Sequence, residues 1–146
     1  MLFTEFVMMF TDLVLYLTFL IFPLYLWDKK EKRILPYYFI FLFLTIVITY
    51  LLKGIFNVHR PPDAIIHLSS NAFPSTHSAL AFFLLGFFYY KKRWRIPLLL
   101  YGILVACSRV YLRVHYVADV IVGAIIGFSI PYLLYNYMLK KEENRR

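Results

Sequence analysis

Basic residues gather in three clusters, Lys29-Lys30 with Lys32-Arg33, Lys91-Lys92-Arg93 with Arg95, and Lys140-Lys141 with Arg145-Arg146. Between them the chain runs in apolar stretches long enough to lie in lipid. A bilayer core holds no water to satisfy backbone N–H and C=O groups, and spans of roughly 20 mostly apolar residues are read as helices that close their own hydrogen bonds. Hydrophobic residues make up 62% of the 146 and charged residues 16%, while mean hydropathy is +0.67; those values exclude an ordinary soluble domain. The expected fold is therefore all-α, a polytopic transmembrane helical bundle.

Five spans are expected. The first runs from about Met1 to Trp27, with Glu5 and Asp12 blurring its start and Trp27 suited to an interface. Its acidic start and the lack of a small-residue cleavage site argue against a secretory leader. The second runs from Ile34 to about Leu52, with Pro36 in its first turn. Lys53 to Pro74 forms a polar connection marked by the turn signal Pro61-Pro62-Asp63. Ser75 is placed to cap a third helix reaching about Tyr90. The fourth begins near Ile96 and reaches about Cys107; the fifth covers Tyr116 to Met138, with a kink expected at Pro131. No Pro/Gly/Ser-rich linker or internal repeat divides the chain, so residues 1–146 read as a single membrane domain. Cys107, the one cysteine, reads as a small core residue.

With five spans, the three clusters fall on one side of the membrane and hold twelve of the sixteen Lys and Arg residues. The positive-inside rule makes that side cytoplasmic, together with the C-terminus. The loops around 53–74 and 108–115 then face the cell exterior or periplasm of a multi-pass protein in the cell (inner) membrane. The formal charge of +8 thus reflects topology, and no nucleic-acid partner is expected; the partner is the lipid bilayer itself.

The four remaining cations, Lys53, Arg60, Arg109 and Arg113, all lie on the outer side, among imidazoles and a carboxylate. Ionisable groups at membrane depth are costly and mark function. Lys53, Arg60 and Arg109 come from separate segments, and one anion such as phosphate would draw them together. His115 and Asp119, four apart, share one helical face, where the carboxylate can hold one ring nitrogen and leave the other free to attack phosphorus. His77, beside Ser75, is placed to donate a proton to a leaving oxygen. Backbone N–H groups at the start of the third helix, from Ser75 through Thr76 to His77, add anion contacts. Arg113 is expected to face headgroups or a second anionic group, and Ser108 to brace the site. His59 and His67 read as loop residues. No two histidines lie at metal-binding spacing on one helix and the single cysteine adds no ligand pair, so neither a metal nor another cofactor is expected.

Residues 53 to 119 carry a three-part pattern: Lys53 six residues short of Arg60-Pro61, then Pro74-Ser75-Thr76-His77, then Ser108-Arg109, five residues, His115, three residues, Asp119. This resembles the signature of the type 2 phosphatidic acid phosphatase family. The resemblance implies a membrane lipid phosphatase in which His115 forms a phosphohistidine, His77 acts as acid and Asp119 orients the nucleophile. It also implies that Lys53, Arg60, Ser75 and Arg109 bind the phosphate. Thr76 departs from the pattern by standing where the family usually has glycine. The substrate implied is a membrane lipid phosphate or diphosphate, among them undecaprenyl diphosphate, phosphatidylglycerol phosphate, phosphatidic acid and the 1-phosphate of lipid A. A lipid phosphotransferase passing the phosphoryl group to an alcohol is the alternative; a non-catalytic lipid-binding subunit fits less well with intact His77, His115 and Asp119. The sequence leaves the oligomeric state open, a monomer being compatible with it.

Overall fold

The architecture comes from a computed structural model that describes residues 2–28, 32–65 and 69–143. Lys29, Lys30, His67, Arg145 and Arg146, used in the reading above, lie outside the described residues. Five helices follow in order: α1 (Leu2–Asp28), α2 (Leu35–Phe56), α3 (Thr76–Phe87), α4 (Lys92–Tyr111) and α5 (Val117–Glu143). No strand occurs among the described residues.

Among the described residues, three stretches are long and apolar enough to cross a bilayer: Leu35–Phe56, Lys92–Tyr111 and Val117–Met138. α1, at 27 residues, carries the apolar stretch Leu15–Trp27. At 12 residues α3 is roughly 18 Å long, well below the ~30 Å hydrocarbon thickness. It is also buried nearly all round, with Ala79, Ala81, Phe83, Leu84, Leu85 and Phe87 enclosed. A helix apolar on every face belongs in a core, so α3 is sheathed by its neighbours and need not meet lipid along its length.

Helices in lipid associate by close packing rather than by escape from water, and two devices provide it here. Along α5, Gly123 and Gly127 let the backbone of α3 approach: an added Cβ would lie 2.4 Å from the Ser75 carbonyl oxygen and 2.0 Å from that of Ala79. At the other end of α3, aromatic rings interlock. Tyr38 of α2 meets Phe83 and Phe87 edge-on, with centroids 5.3 and 5.1 Å apart, and Phe22 of α1 packs on Phe88 at 4.7 Å.

Charge divides between the two ends of this bundle. One end carries Lys32 over the Trp27 ring at 3.9 Å, Arg93 donating to the Tyr25 hydroxyl at 3.0 Å and Arg95 over Tyr89 at 4.2 Å. Lys53, Arg60, Arg109, His77 and His115 gather at the other.

Several boundaries differ from the sequence reading. α2 continues to Phe56 and stops at Asn57, whose left-handed backbone (φ 46°) lets its N–H donate to the Lys53 carbonyl. Lys53 therefore belongs to the last turn of a helix, not to a loop. α4 starts at Lys92, since Lys and Arg favour helix and their stems reach the interface; it continues to Tyr111, so Arg109 is helical too. α3 ends three residues early, at Phe87, and α5 is assigned as one helix through Pro131. Cys107 is exposed rather than in the core, because its face of α4 points outward, where a small apolar side chain suits lipid.

Candidate active site

The site is assembled by backbone ties among the connection and the helix ends. Ser75 is the N-cap of α3, its Oγ accepting from the Ser78 N–H at 3.5 Å. The Ser75 N–H donates to the Asp119 carbonyl at 2.9 Å, which joins the first turn of α3 to the first turn of α5. In the connection, the Ala72 N–H donates to the Val58 carbonyl at 2.8 Å, and Asn71 Nδ2 donates to the Lys53 carbonyl at 3.0 Å. Lys53 Nζ in turn donates to the carbonyls of Asn71 (2.7 Å) and Ala72 (3.3 Å). Its 7% exposure means that these carbonyls, rather than bulk water, solvate the ammonium.

Arg60 spans the connection. Nε donates to the Ser70 carbonyl at 2.8 Å, Nη2 to Ser70 Oγ at 3.0 Å and Nη1 to the Val114 carbonyl at 2.6 Å. Nη1 also lies 3.3 Å from His115 Nε2. On the far side of the same ring, Nδ1 lies 3.3 Å from Asp119 Oδ2, an oxygen that also accepts from the Tyr116 N–H at 2.9 Å. These neighbours fix the tautomer. A guanidinium can only donate, so Nε2 carries a lone pair; an ionised carboxylate can only accept, so Nδ1 carries the hydrogen.

The protonation state follows from the same surroundings. Burial, then the positive charges of Arg60, Lys53, His77 and Arg109, pushes His115 down to about 3. The ring is neutral at physiological pH, the form with a nucleophilic lone pair. Burial also lowers Arg60 from its ordinary value, an effect that Asp119 opposes; an arginine remains charged regardless.

A cavity of about 280 Å³ is lined by Lys53, Arg60, Ser70, Thr76, His77 and His115 together with Leu15, Tyr16, Tyr50 and Leu80. Five of the residues singled out from sequence thus share one cavity. The other three stand behind it. Asp119 backs His115. Arg109, buried at 2% exposure, reaches Asp12. Ser75 is fully buried, its hydroxyl turned toward Ser78. The amides of Thr76 and His77, the first two of α3, have no acceptor in their own helix.

Other residues named from sequence lie outside this cavity. Arg113, at a left-handed φ of 53°, pairs with Asp63 at 2.8 Å rather than standing ready for an anion; both are well exposed, so the pair adds little stability. Ser108 donates back to the Val105 carbonyl at 2.7 Å, within its own helix. His59 is exposed. Among the described residues, no group of three His, Cys, Asp or Glu side chains is arranged to hold a metal.

One residue was missed. Asp12, read from sequence as a blemish in the first span, places Oδ1 3.0 Å from both His77 Nε2 and Arg109 Nη2. The signal was present: the rule that makes an intramembrane cation a functional candidate applies equally to a carboxylate.

Fold and site together define a membrane phosphatase built of helices. The chain belongs to the PAP2 superfamily, whose profile matches residues 34–143. Two solved structures share its fold. A PAP2-type phosphatidylglycerolphosphate phosphatase from Bacillus subtilis has a TM-score of 0.79 at 25% identity, over 94% of this chain and 77% of that one. LpxE from Aquifex aeolicus has a TM-score of 0.75 at 25% identity, over 93% of this chain and 87% of that one. No curated protein sequence gives a match.

Proposed function

We propose that the protein hydrolyses a lipid phosphate monoester or diphosphate through a phosphohistidine on His115. The observation that carries this reading is the clamped ring of His115, neutral, with Nδ1–H held by Asp119 and its Nε2 lone pair aimed at Arg60 and the cavity. Arg60 would hand its Nη1 donor from Nε2 to a phosphoryl oxygen as substrate enters, uncovering the nucleophile. Lys53, Arg60 and Arg109 offset the charge of the equatorial oxygens, the main barrier to attack on a phosphate anion. Ser75 shapes the first turn of α3, so that the amides of Thr76 and His77 face the anion. His77 supplies the proton that the departing oxygen needs. Thr76 offers a hydroxyl where the family has a bare backbone.

The apolar wall formed by Leu15, Tyr16, Tyr50 and Leu80 supports a lipid substrate, because it lets the acyl chains stay in the membrane while the phosphate reaches the cations. The candidates are those already named: undecaprenyl diphosphate, phosphatidylglycerol phosphate, phosphatidic acid and lipid A 1-phosphate. In our reading the site faces the periplasm or cell exterior of a protein in the cell membrane, with the C-terminus cytoplasmic. The test is phosphate release from a panel of these lipids by the purified protein in detergent, without an added alcohol. Release by the wild type and none by His115→Ala supports the proposal; transfer only when an alcohol is supplied would make the protein a phosphotransferase. Because protein cations do the work of a metal here, activity should survive EDTA and be inhibited by vanadate. Loss with EDTA and recovery with one divalent ion would refute that part.

A further inference from the structure

α1 adds one carboxylate to a site whose other singled-out polar residues lie between Lys53 and Asp119, and it lies ahead of the stretch that the family profile matches. The rotation of α1 is set by packing. Leu15, Phe22 and Leu26 are buried on one stripe, and by helical spacing Asp12 continues that stripe toward the site. The height of α1 is set by Thr18, whose Oγ1 lies 3.1 Å from the Tyr101 hydroxyl of α4. α1 and α4 run in opposite directions, so six residues back from Thr18 and eight forward from Tyr101 bring Asp12 and Arg109 to similar depth. Asp12 is therefore aimed at His77 by contacts other than the ion pair itself.

Its effect follows from comparing the two imidazoles. Each has a carboxylate on one ring nitrogen, Asp119 on Nδ1 of His115 and Asp12 on Nε2 of His77. Only His115 also has a guanidinium at its other nitrogen. His115 is thereby held neutral beside a guanidinium, whereas the charged partner of His77 is the carboxylate of Asp12. Asp12 supplies that charge at 3.0 Å and ties the ring to Arg109. A guanidinium partner suits His115 to act as nucleophile, and a carboxylate partner suits His77 to act as acid.

We propose that Asp12 is the positioning residue of the general acid: it holds His77 as the imidazolium, Nε2–H toward Oδ1, and leaves Nδ1–H for the leaving oxygen. The proposal rests on phosphoryl transfer to His115. In the first half, the His115 Nε2 lone pair forms the N–P bond as the P–O ester bond breaks, and the released electron pair takes the His77 Nδ1 proton. In the second half, a water oxygen bonds to phosphorus, the N–P pair returns to Nε2, and a water proton restores His77.

The test uses Asp12→Asn and Asp12→Glu in the purified full chain, with two phosphate monoesters. A long-chain alkyl phosphate needs a proton on its leaving oxygen; 4-nitrophenyl phosphate, which leaves as a stable phenolate, does not. Asp12→Asn is expected to lower kcat for the alkyl ester about 10- to 100-fold, part of the usual general-acid contribution. The nitrophenyl ester should change far less, and Asp12→Glu should restore much of the alkyl rate. Retained nitrophenyl turnover also reports a folded variant. Equal slowing of both esters would reduce Asp12 to a structural role and overturn the proposal, as would faster turnover of either, which would mean that Asp12 competes with phosphate for Arg109. Full activity in a parallel His115→Ala variant would instead defeat the underlying mechanism, and this proposal with it.

Discussion

At the scale of single residues, His115 is asked to be buried and uncharged among cations, and that has a cost in acid. A free histidine titrates near 6.5, whereas His115 in the fold is pushed down to about 3. Between those values the unfolded chain binds a proton that the folded chain refuses. Stability should therefore fall as pH is lowered through that window and be fully present above it. Thermal unfolding in detergent tests this: His115→Asn should lose less stability than the wild type between about pH 6.5 and 4; parallel losses would show that burial of His115 carries no such penalty. The residues of this cluster were legible from sequence because Lys, Arg and His are conspicuous among apolar neighbours. Asp12 carries the same signal, but a lone carboxylate near the start of an apolar stretch looks like the edge of a span until a helix partner is in place. The inward turn of the Ser75 hydroxyl was also hidden, because capping and anion contact call for the same residue at the same position.

At the scale of elements, the contact between α3 and α5 holds the two catalytic candidates in register, through the Ser75 N–H on the Asp119 carbonyl and through Gly123 and Gly127. A side chain at either glycine must separate the helices or distort them. Gly127→Leu should cost upwards of about 1–3 kcal/mol from overpacking and lower turnover with it, because His77 moves away from His115. Gly54 is the control: an added Cβ there meets nothing within 4 Å, so Gly54→Ala should be neutral or stabilise α2 by about 0.5–1 kcal/mol. Thermal midpoints and phosphate release on both variants check this, and an unperturbed Gly127→Leu would remove the packing argument. Helix number and order were readable from hydropathy, and the cap at Ser75 and the first-turn Pro36 from residue type. The ends of α2 and α4 were not. Lys53 and Arg109 look like loop residues by charge, yet their helices continue because carbonyls or a carboxylate receive the charged heads. The brevity of α3 was equally invisible, since depth in a bundle depends on neighbours that a single segment does not reveal.

At the scale of the whole molecule, the bundle has one end where Lys32, Arg93 and Arg95 meet aromatic rings and another that holds the cavity. Positive charge favours the cytoplasm, so the account expects the cavity end to face outward. With Cys107 changed to Ser, a cysteine introduced near Asp63 should react with an impermeant thiol reagent in intact cells or spheroplasts, and one near Lys92 only after lysis. The reverse pattern would put the site in the cytoplasm and exclude substrates confined to the outer leaflet. The central claim, that this membrane bundle exists to place a neutral histidine against a lipid phosphate, meets its most direct test in the intermediate. Rapid mixing with a lipid whose cleaved phosphate is ³²P-labelled, followed by denaturing quench, should leave an acid-labile, alkali-stable phosphate on the peptide that contains His115 and none in His115→Ala. Turnover by the wild type with no such adduct, or with label on another residue, would contradict it.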